Sequence, residues 1–207
     1  MAVGLRLFAW TVVTVLTLAT AACRPPRAPD ANQQLREREE SEAFANRKVY
    51  AELTPEILAE IPDDKLEQAV IDFIDQKVAG RQETKGKILN ALGPGFRAMD
   101  ATWWAEIEVT SGGFRQYFRN TRGQYAADAV EGFRLMGAKD LALVTEQAIT
   151  IAIEEQAISQ PVGQTSGPGR GQDRFRPLDQ QFVDLAKDLS AKRVALIRAR
   201  PRLFIGH

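Results

Sequence analysis

From residue 49 onward, apolar residues recur at three- and four-residue spacing, and no stretch alternates convincingly at period two. That pattern predicts helices and no sheet. Thr54-Pro55 reads as an N-cap followed by proline in the first turn, so a short helix should begin there. In "PDDKLEQAVIDFIDQKVAG", Leu66, Val70, Phe73 and Ile74 share one face, and Gly80 stops the helix. Asp64 with Glu67 is similar to a capping box at its start. Another helix is expected near Lys85–Leu92, broken by the Gly-Pro-Gly at 93–95. Residues 96–109 carry Met99, Trp103 and Ile107 at helical spacing. Residues 125–136 repeat apolar positions at Tyr125, Ala129, Val130 and Phe133, with Gly137 as terminator. "AKDLALVTEQAITIAIEE" is apolar on nearly all sides, which places it in the middle of a bundle. "SQPVGQTSGPGRGQDRFRP" has no periodicity and reads as a long surface loop. One last helix is expected over 178–199, ended by Pro201. The expected fold is all-α, a single-domain bundle of about seven helices around one core.

Ahead of this domain the pattern changes. "MAVGLRLFAWTVVTVLTLATAAC" has Arg6 in a short positive region, an uncharged apolar run over 7–18 and small residues over 19–22. Residues 1–22 therefore read as a secretory signal peptide, too short for a stable membrane span. Cys23 is the only cysteine and directly follows Thr20-Ala21-Ala22. This resembles a bacterial lipobox, with Thr20 where leucine is usual, and makes Cys23 the expected lipid-attachment residue. The alternative is plain cleavage near Ala22 beside an incidental cysteine. A lone cysteine excludes disulfides within the chain and a thiolate metal cluster. Residues 24–34 are rich in proline and polar residues and read as an extended tether. "LREREESEAFANRK" interleaves charges, as a solvated helix or more tether. The organisation expected is signal peptide 1–22, lipidated cysteine and flexible tether 23–48, and helical domain 49–207. It implies export and anchoring in a bacterial cell envelope.

Net charge is zero, with 27 basic and 27 acidic residues. The total therefore points to neither a strongly basic nor a strongly acidic partner. The distribution says more. Residues 52–75 hold Glu52, Glu56, Glu60, Asp63, Asp64, Glu67, Asp72 and Asp75 against only Lys65. Of these, Glu56, Glu60, Asp64, Asp72 and Asp75 form a candidate acidic interaction face, Asp64, Asp72 and Asp75 sharing the polar side of one helix with Gln68. The C-terminal part is basic, with Lys192, Arg193, Arg198, Arg200 and Arg202 among others. Either the two regions attract each other within the fold, or the acidic one is a binding face. The single histidine, His207, is terminal, so Ser-His-Asp or Cys-His catalysis and histidine metal ligation are not expected. No cofactor and no metal is expected; a carboxylate pair remains the enzymatic alternative.

"SGGFRQYFRNTRG", residues 111–123, concentrates the distinctive chemistry. The glycine pair lacks the Lys-Ser/Thr of a phosphate loop, and no strand precedes it. The structural reading is a sharp turn, Gly112 and Gly113 supplying positive φ or close approach. Phe114, Tyr117 and Phe118 then fall on one face that packs under the corner, with Arg115 and Arg119 outward. Asn120 can cap backbone groups near Gly123. Adjacent Trp103 and Trp104 point about 100° apart on a helix, one into the core and one partly exposed.

These residues carry a resemblance. Glu106, then Gly112, Gly113, Phe114, Gln116, Tyr117, Phe118 and Asn120 in "SGGFRQYFRN", then Gly123 and Met136-Gly137-Ala138, resemble the DNA-mimic-protein family, long carried as a domain of unknown function. "LDQQFVDL…LIRARPRLF" is similar to that family's closing helix, and the likeness covers about residues 60–205. It implies an all-α fold and a binding role. The family is named for an acidic member whose carboxylates stand in for DNA phosphates. This chain is neutral, with a basic C-terminal part and an export signal. The expectation is thus a non-enzymatic envelope lipoprotein with a helical protein-interaction domain. A DNA mimic acting through the acidic helices is one alternative, a carboxylate enzyme another. The expected partners are an unidentified protein and, through the lipid, a membrane. A homodimer stays open, and nucleic acid is not expected.

Overall fold

The computed structural model describes residues 31–155 and 173–206. The expected signal peptide, Cys23, residues 159–172 of the expected loop and His207 lie outside the described residues. The chain divides into two units, Met1–Arg47 and Lys48–His207. In the first, α1 (Ala31–Ala45) is a charged helix with an Arg38–Glu42 pair at 2.8 Å. Residues 35–45 thus take the helical one of the two forms expected for the charged stretch, whereas residues 31–34, expected to be extended tether, already belong to the helix.

The second unit is all-α, and its described residues form eight α-helices. Thr54 caps α2 (Pro55–Glu60), its hydroxyl accepting the Ile57 amide at 3.3 Å. In α3 (Asp63–Val78) Leu66, Val70, Phe73 and Ile74 are all buried, and Gly80 follows at φ +69°. The expected capping box is absent. Pro62, already extended, starts α3, so Asp64 lies inside its first turn without a capping bond. α4 (Lys85–Leu92) ends at Gly93, φ +110°, and Pro94 opens α5 (Pro94–Thr121). α6 (Ala126–Leu135) runs to Gly137, φ +75°, and α7 (Lys139–Glu154) follows.

Three expectations are corrected. α7 is not central: Leu143 and Ile153 are 53% and 64% exposed. The central element is α5, which packs on α3, α4, α6 and α8. Within it Ile107 is exposed, and the buried line runs through Met99, Thr102, Ala105 and Val109. A strict four-residue step drifts about 40° per step around a helix, which carries Ile107 off that line. The last helix is two, α8 (Arg176–Leu185) and α9 (Leu189–Ala199), joined by a 3-10 turn, Ala186–Asp188. α8 serves one core; α9 adds Leu189 to that core and turns Leu196 and Ile197 into the other.

Those cores are separate clusters. One gathers α2, α3, α4, the start of α5, α9 and the closing 3-10 turn Pro201–Phe204, around Phe73, Phe96 and Phe204. The other gathers the rest of α5 with α6, α7 and α8, around Phe114, Phe118, Phe133, Phe175 and Phe182. α5 passes from the first, at Met99, to the second, at Ala101, with buried Asp100 between them and buried Thr102 just beyond. An isolated antiparallel bridge joins the two ends of the unit: Leu53 N donates to Gly206 O at 2.8 Å, and Gly206 N to Leu53 O at 3.0 Å. Gly206 sits on Phe73, where a Cβ would lie 2.5 Å from the ring.

Candidate functional site

The site begins at the break in α5. Gly113 has φ +75° and ψ 175°, a conformation only glycine adopts without strain. Gly112 has φ −157°, so positive φ was needed at one of the two glycines only; a Cβ on Gly112 would instead overlap the Gln116 amide. The break is a sharp corner, as expected. Glu108 Oε2 accepts from Gln116 Nε2 at 3.0 Å and from Asn120 Nδ2 at 2.8 Å. Residues 108 and 120 of a straight helix would stand about 18 Å apart. The second limb, 114–121, therefore folds back along the first.

The new limb needs its first amides satisfied. Asp179, in the first turn of α8, accepts the Phe114 N–H at 2.7 Å. A Cβ on Gly113 would lie 2.6 Å from the same carboxylate. Glycine here makes room for a cap supplied by another helix. Phe114, Tyr117 and Phe118 are fully buried beneath the corner, Phe114 against Phe182 at 5.4 Å and Phe118 against Phe175 at 5.9 Å. Asn120 is committed to Glu108 and does not cap; the neighbouring Thr121 hydroxyl accepts the Gly123 amide at 3.2 Å instead. Arg115 and Arg119 point outward. Arg115 Nη2 also pairs with Glu155 at 3.1 Å and Asp173 at 3.2 Å, tying the end of α7 to the approach of α8.

Ser111, Gly112 and Gly113 face Arg176, Asp179 and Val183 of α8 across an open cleft. Its one carboxylate, Asp179, titrates above the ordinary range: burial outweighs the Phe114 N–H, Asp173 adds to it, and Arg115 opposes. That carboxylate is committed to the corner.

The candidate acidic face is dispersed. Glu56, Glu60, Asp64 and Asp75 are exposed, but Asp72 is buried and accepts from Gln68 Nε2 at 2.8 Å. The shared polar side of Asp64, Asp72 and Asp75 is therefore not one solvent face. The Glu56 carboxyl is held below its usual range by its own backbone N–H and the Thr54 hydroxyl. Asp63 pairs with Arg198 at 2.6 Å. Arg193 is fully buried and takes Glu67 at 2.7 Å and Glu106 at 2.6 Å through one nitrogen, with Thr102 Oγ1 3.2 Å from Nε and the Trp103 ring 5.6 Å away. So Glu106, the acid of the motif, joins α3, α5 and α9. Trp103 is half-buried against the first core and Trp104 is exposed, so the pair diverges as expected but neither ring enters the core.

Sequence reasoning missed Glu108, Asp179, Arg193, Lys85 and Asp100. Lys85 and Asp100 form a second buried ion pair at 2.8 Å. The available signals were a charge inside a predicted core face and the Leu-Asp-x-x-Phe at 178–182. Among the described residues, no group of three or more His, Cys, Asp or Glu could hold a metal ion, and no helix is long and apolar enough to cross a membrane. A family model described as DMP19-like protein matches residues 90–200, the span of α5 through α9. No curated protein and no solved structure matches the chain.

Proposed function

The chain belongs to the DMP19-like protein family, and from that premise we propose that it acts by binding and not by catalysis, as a helical protein-interaction domain held at the cell envelope through a lipid on Cys23. The observation that carries the reading is the internal pairing of the acidic segment. Arg193 takes Glu67 and Glu106, Arg198 takes Asp63, and Asp72 is buried. A duplex-like array needs many uncompensated charges. The acids left in solvent on α2 and the start of α3, Glu56, Glu60 and Asp64, are few. Contact through shape and mixed polarity fits this surface better than phosphate mimicry. The commitment of Asp179 to the corner supports binding over carboxylate catalysis. The anchor rests on the apolar run at 7–18 and the small residues before Cys23.

Cells expressing wild type and Cys23→Ala are fed a clickable fatty acid and fractionated. Label and membrane retention should appear in the wild type and vanish in the variant; equal labelling of both removes the anchor from the reading. The soluble domain is also screened against basic DNA-binding proteins with duplex DNA as competitor. Capture that DNA displaces, and that is lost in Glu56→Gln/Glu60→Gln/Asp64→Asn, would replace this reading with mimicry.

A further inference from the structure

Lys85 is the first residue of α4 and one of only two side chains this helix buries, the other being Leu89. Residues 79–84 before it are exposed throughout. Gly80 and Gly93, both at positive φ and with open space around them, bracket this connector and the helix. Lys85 is thus the anchor of the exposed connector and the first turn of α4, while Leu89, with Ile88 and Leu92, holds the rest of the helix on the first core. Its ammonium lies 2.8 Å from Asp100 Oδ1, 5.2 Å from the ring centre of Trp104 and 5.0 Å from that of Tyr125. A carboxylate with two aromatic faces is the chemistry that recognises an alkylammonium group.

Two observations separate this from a finished core contact. Asp100 Oδ2 is buried without a close hydrogen-bond partner, the Trp104 side chain giving this carboxylate only a weak additional donor, and the nearby Tyr117 hydroxyl is also buried without a partner. The site therefore has acceptor capacity that Lys85 does not fill. Trp104 is 38% exposed, so the aromatic wall reaches the surface. Burial also raises the Asp100 carboxyl above its usual range despite Lys85 beside it. Desolvation here consumes much of what the ion pair returns. Losing the ammonium outright would be costly, whereas exchanging it for another ammonium keeps the pairing and costs chiefly the freedom lost on association.

We propose that Asp100, Trp104 and Tyr125 form an alkylammonium-binding site, filled by the chain's own Lys85 in this conformation and opened to a lysine side chain of a partner protein when the connector and the first turn of α4 lift. The partner's part rests on the binding reading above; the site itself does not. Lys85 is then an internal ligand that keeps the site closed until a competing lysine is presented at high local concentration.

The test vacates the site and offers n-butylammonium, a lysine side chain without its backbone. In full-length Lys85→Ala, butylammonium chloride should raise the melting temperature along a saturating curve, relative to sodium chloride at equal ionic strength. Lys85→Ala/Asp100→Asn should not respond. If Lys85→Ala does not fold, folding restored by butylammonium and not by sodium counts as the same result. No rescue, or equal response in both variants, overturns the site. The latch is read separately by amide hydrogen exchange on Asp100→Asn. Exchange over residues 80–87 should rise at least about tenfold while α7 is unchanged, as a locally released segment requires. No rise, or a rise spread over both cores, overturns the latch. Neither arm depends on Cys23, so failure here leaves the labelling result standing.

Discussion

Gly113→Ala tests whether the corner in α5 is organised by Asp179. Two costs combine. At φ +75° and ψ 175° a residue other than glycine carries strain of about 1–3 kcal/mol. The new Cβ also lies 2.6 Å from Asp179 Oδ2 and 2.8 Å from its Cγ, so the carboxylate must leave. Losing its bond to the Phe114 amide costs about 1–2 kcal/mol, as for a helix cap. The single variant should lose about 2–5 kcal/mol. Asp179→Ala alone loses only the cap, about 1–2 kcal/mol. In the double variant the strain remains but the cap is lost once, so the two single effects should overestimate the double by about 1–2 kcal/mol. Urea midpoints at unchanged slope give these values. Additivity within about 0.5 kcal/mol would mean that the Cβ and the carboxylate never compete, and the account of the glycine would be wrong.

Arg193→Met should destabilise by about 3–5 kcal/mol, because it strands Glu67 and Glu106 beside an apolar side chain; a loss under about 1 kcal/mol in urea would sink the clasp. Asp100 has a folded pKa raised by burial above 3.8, so its contribution is whole below that value and is lost as pH rises through the folded one. The stability of wild type relative to Asp100→Asn should therefore fall as pH rises above about 4, and a flat or rising difference in pH-dependent melts would contradict the assignment. Phe118→Ala should lose about 3–5 kcal/mol from a fully buried ring, whereas Arg115→Ala, whose ion pairs are solvent-exposed, should lose under about 1 kcal/mol; the reverse order would show the faces of the second limb to be misassigned.

Helix existence was legible where period and punctuation agreed. Thr54-Pro55, Gly80, Gly93 and Gly137 bound helices that the apolar spacing already required, and Phe114, Tyr117 and Phe118 announced a buried face by their spacing alone. What stayed hidden depends on partners far along the chain. Nothing local says that Asn120 answers to Glu108, or that the Phe114 amide is capped from 65 residues away. The split between α8 and α9 was invisible because Phe182 and Ile197 each keep a helical phase, and only the existence of two cores separates them. α7 misled because apolar residues on every side suggest burial, yet Leu143 and Ile153 face solvent. Arg193 misled in the opposite sense: a long cation in a basic segment reads as surface, and its burial follows from acids contributed by α3 and α5. For the same reason Asp72 could not be separated from the exposed acids of its helix.

The bridge between Leu53 and Gly206 sets the order in which the chain can mature. The first core draws Phe73 and Phe96 from its early helices and Ile197 and Phe204 from its last residues, so it has no finished form while the C-terminal segment is still being synthesised. Closing so long a loop costs only slowly more with length, but it cannot be done early. The N-terminal helices should stay protease-sensitive on a stalled nascent chain ending before Arg193 and become resistant together once residues 193–206 are released, whereas resistance already present in the shorter chain would show that the early helices mature alone.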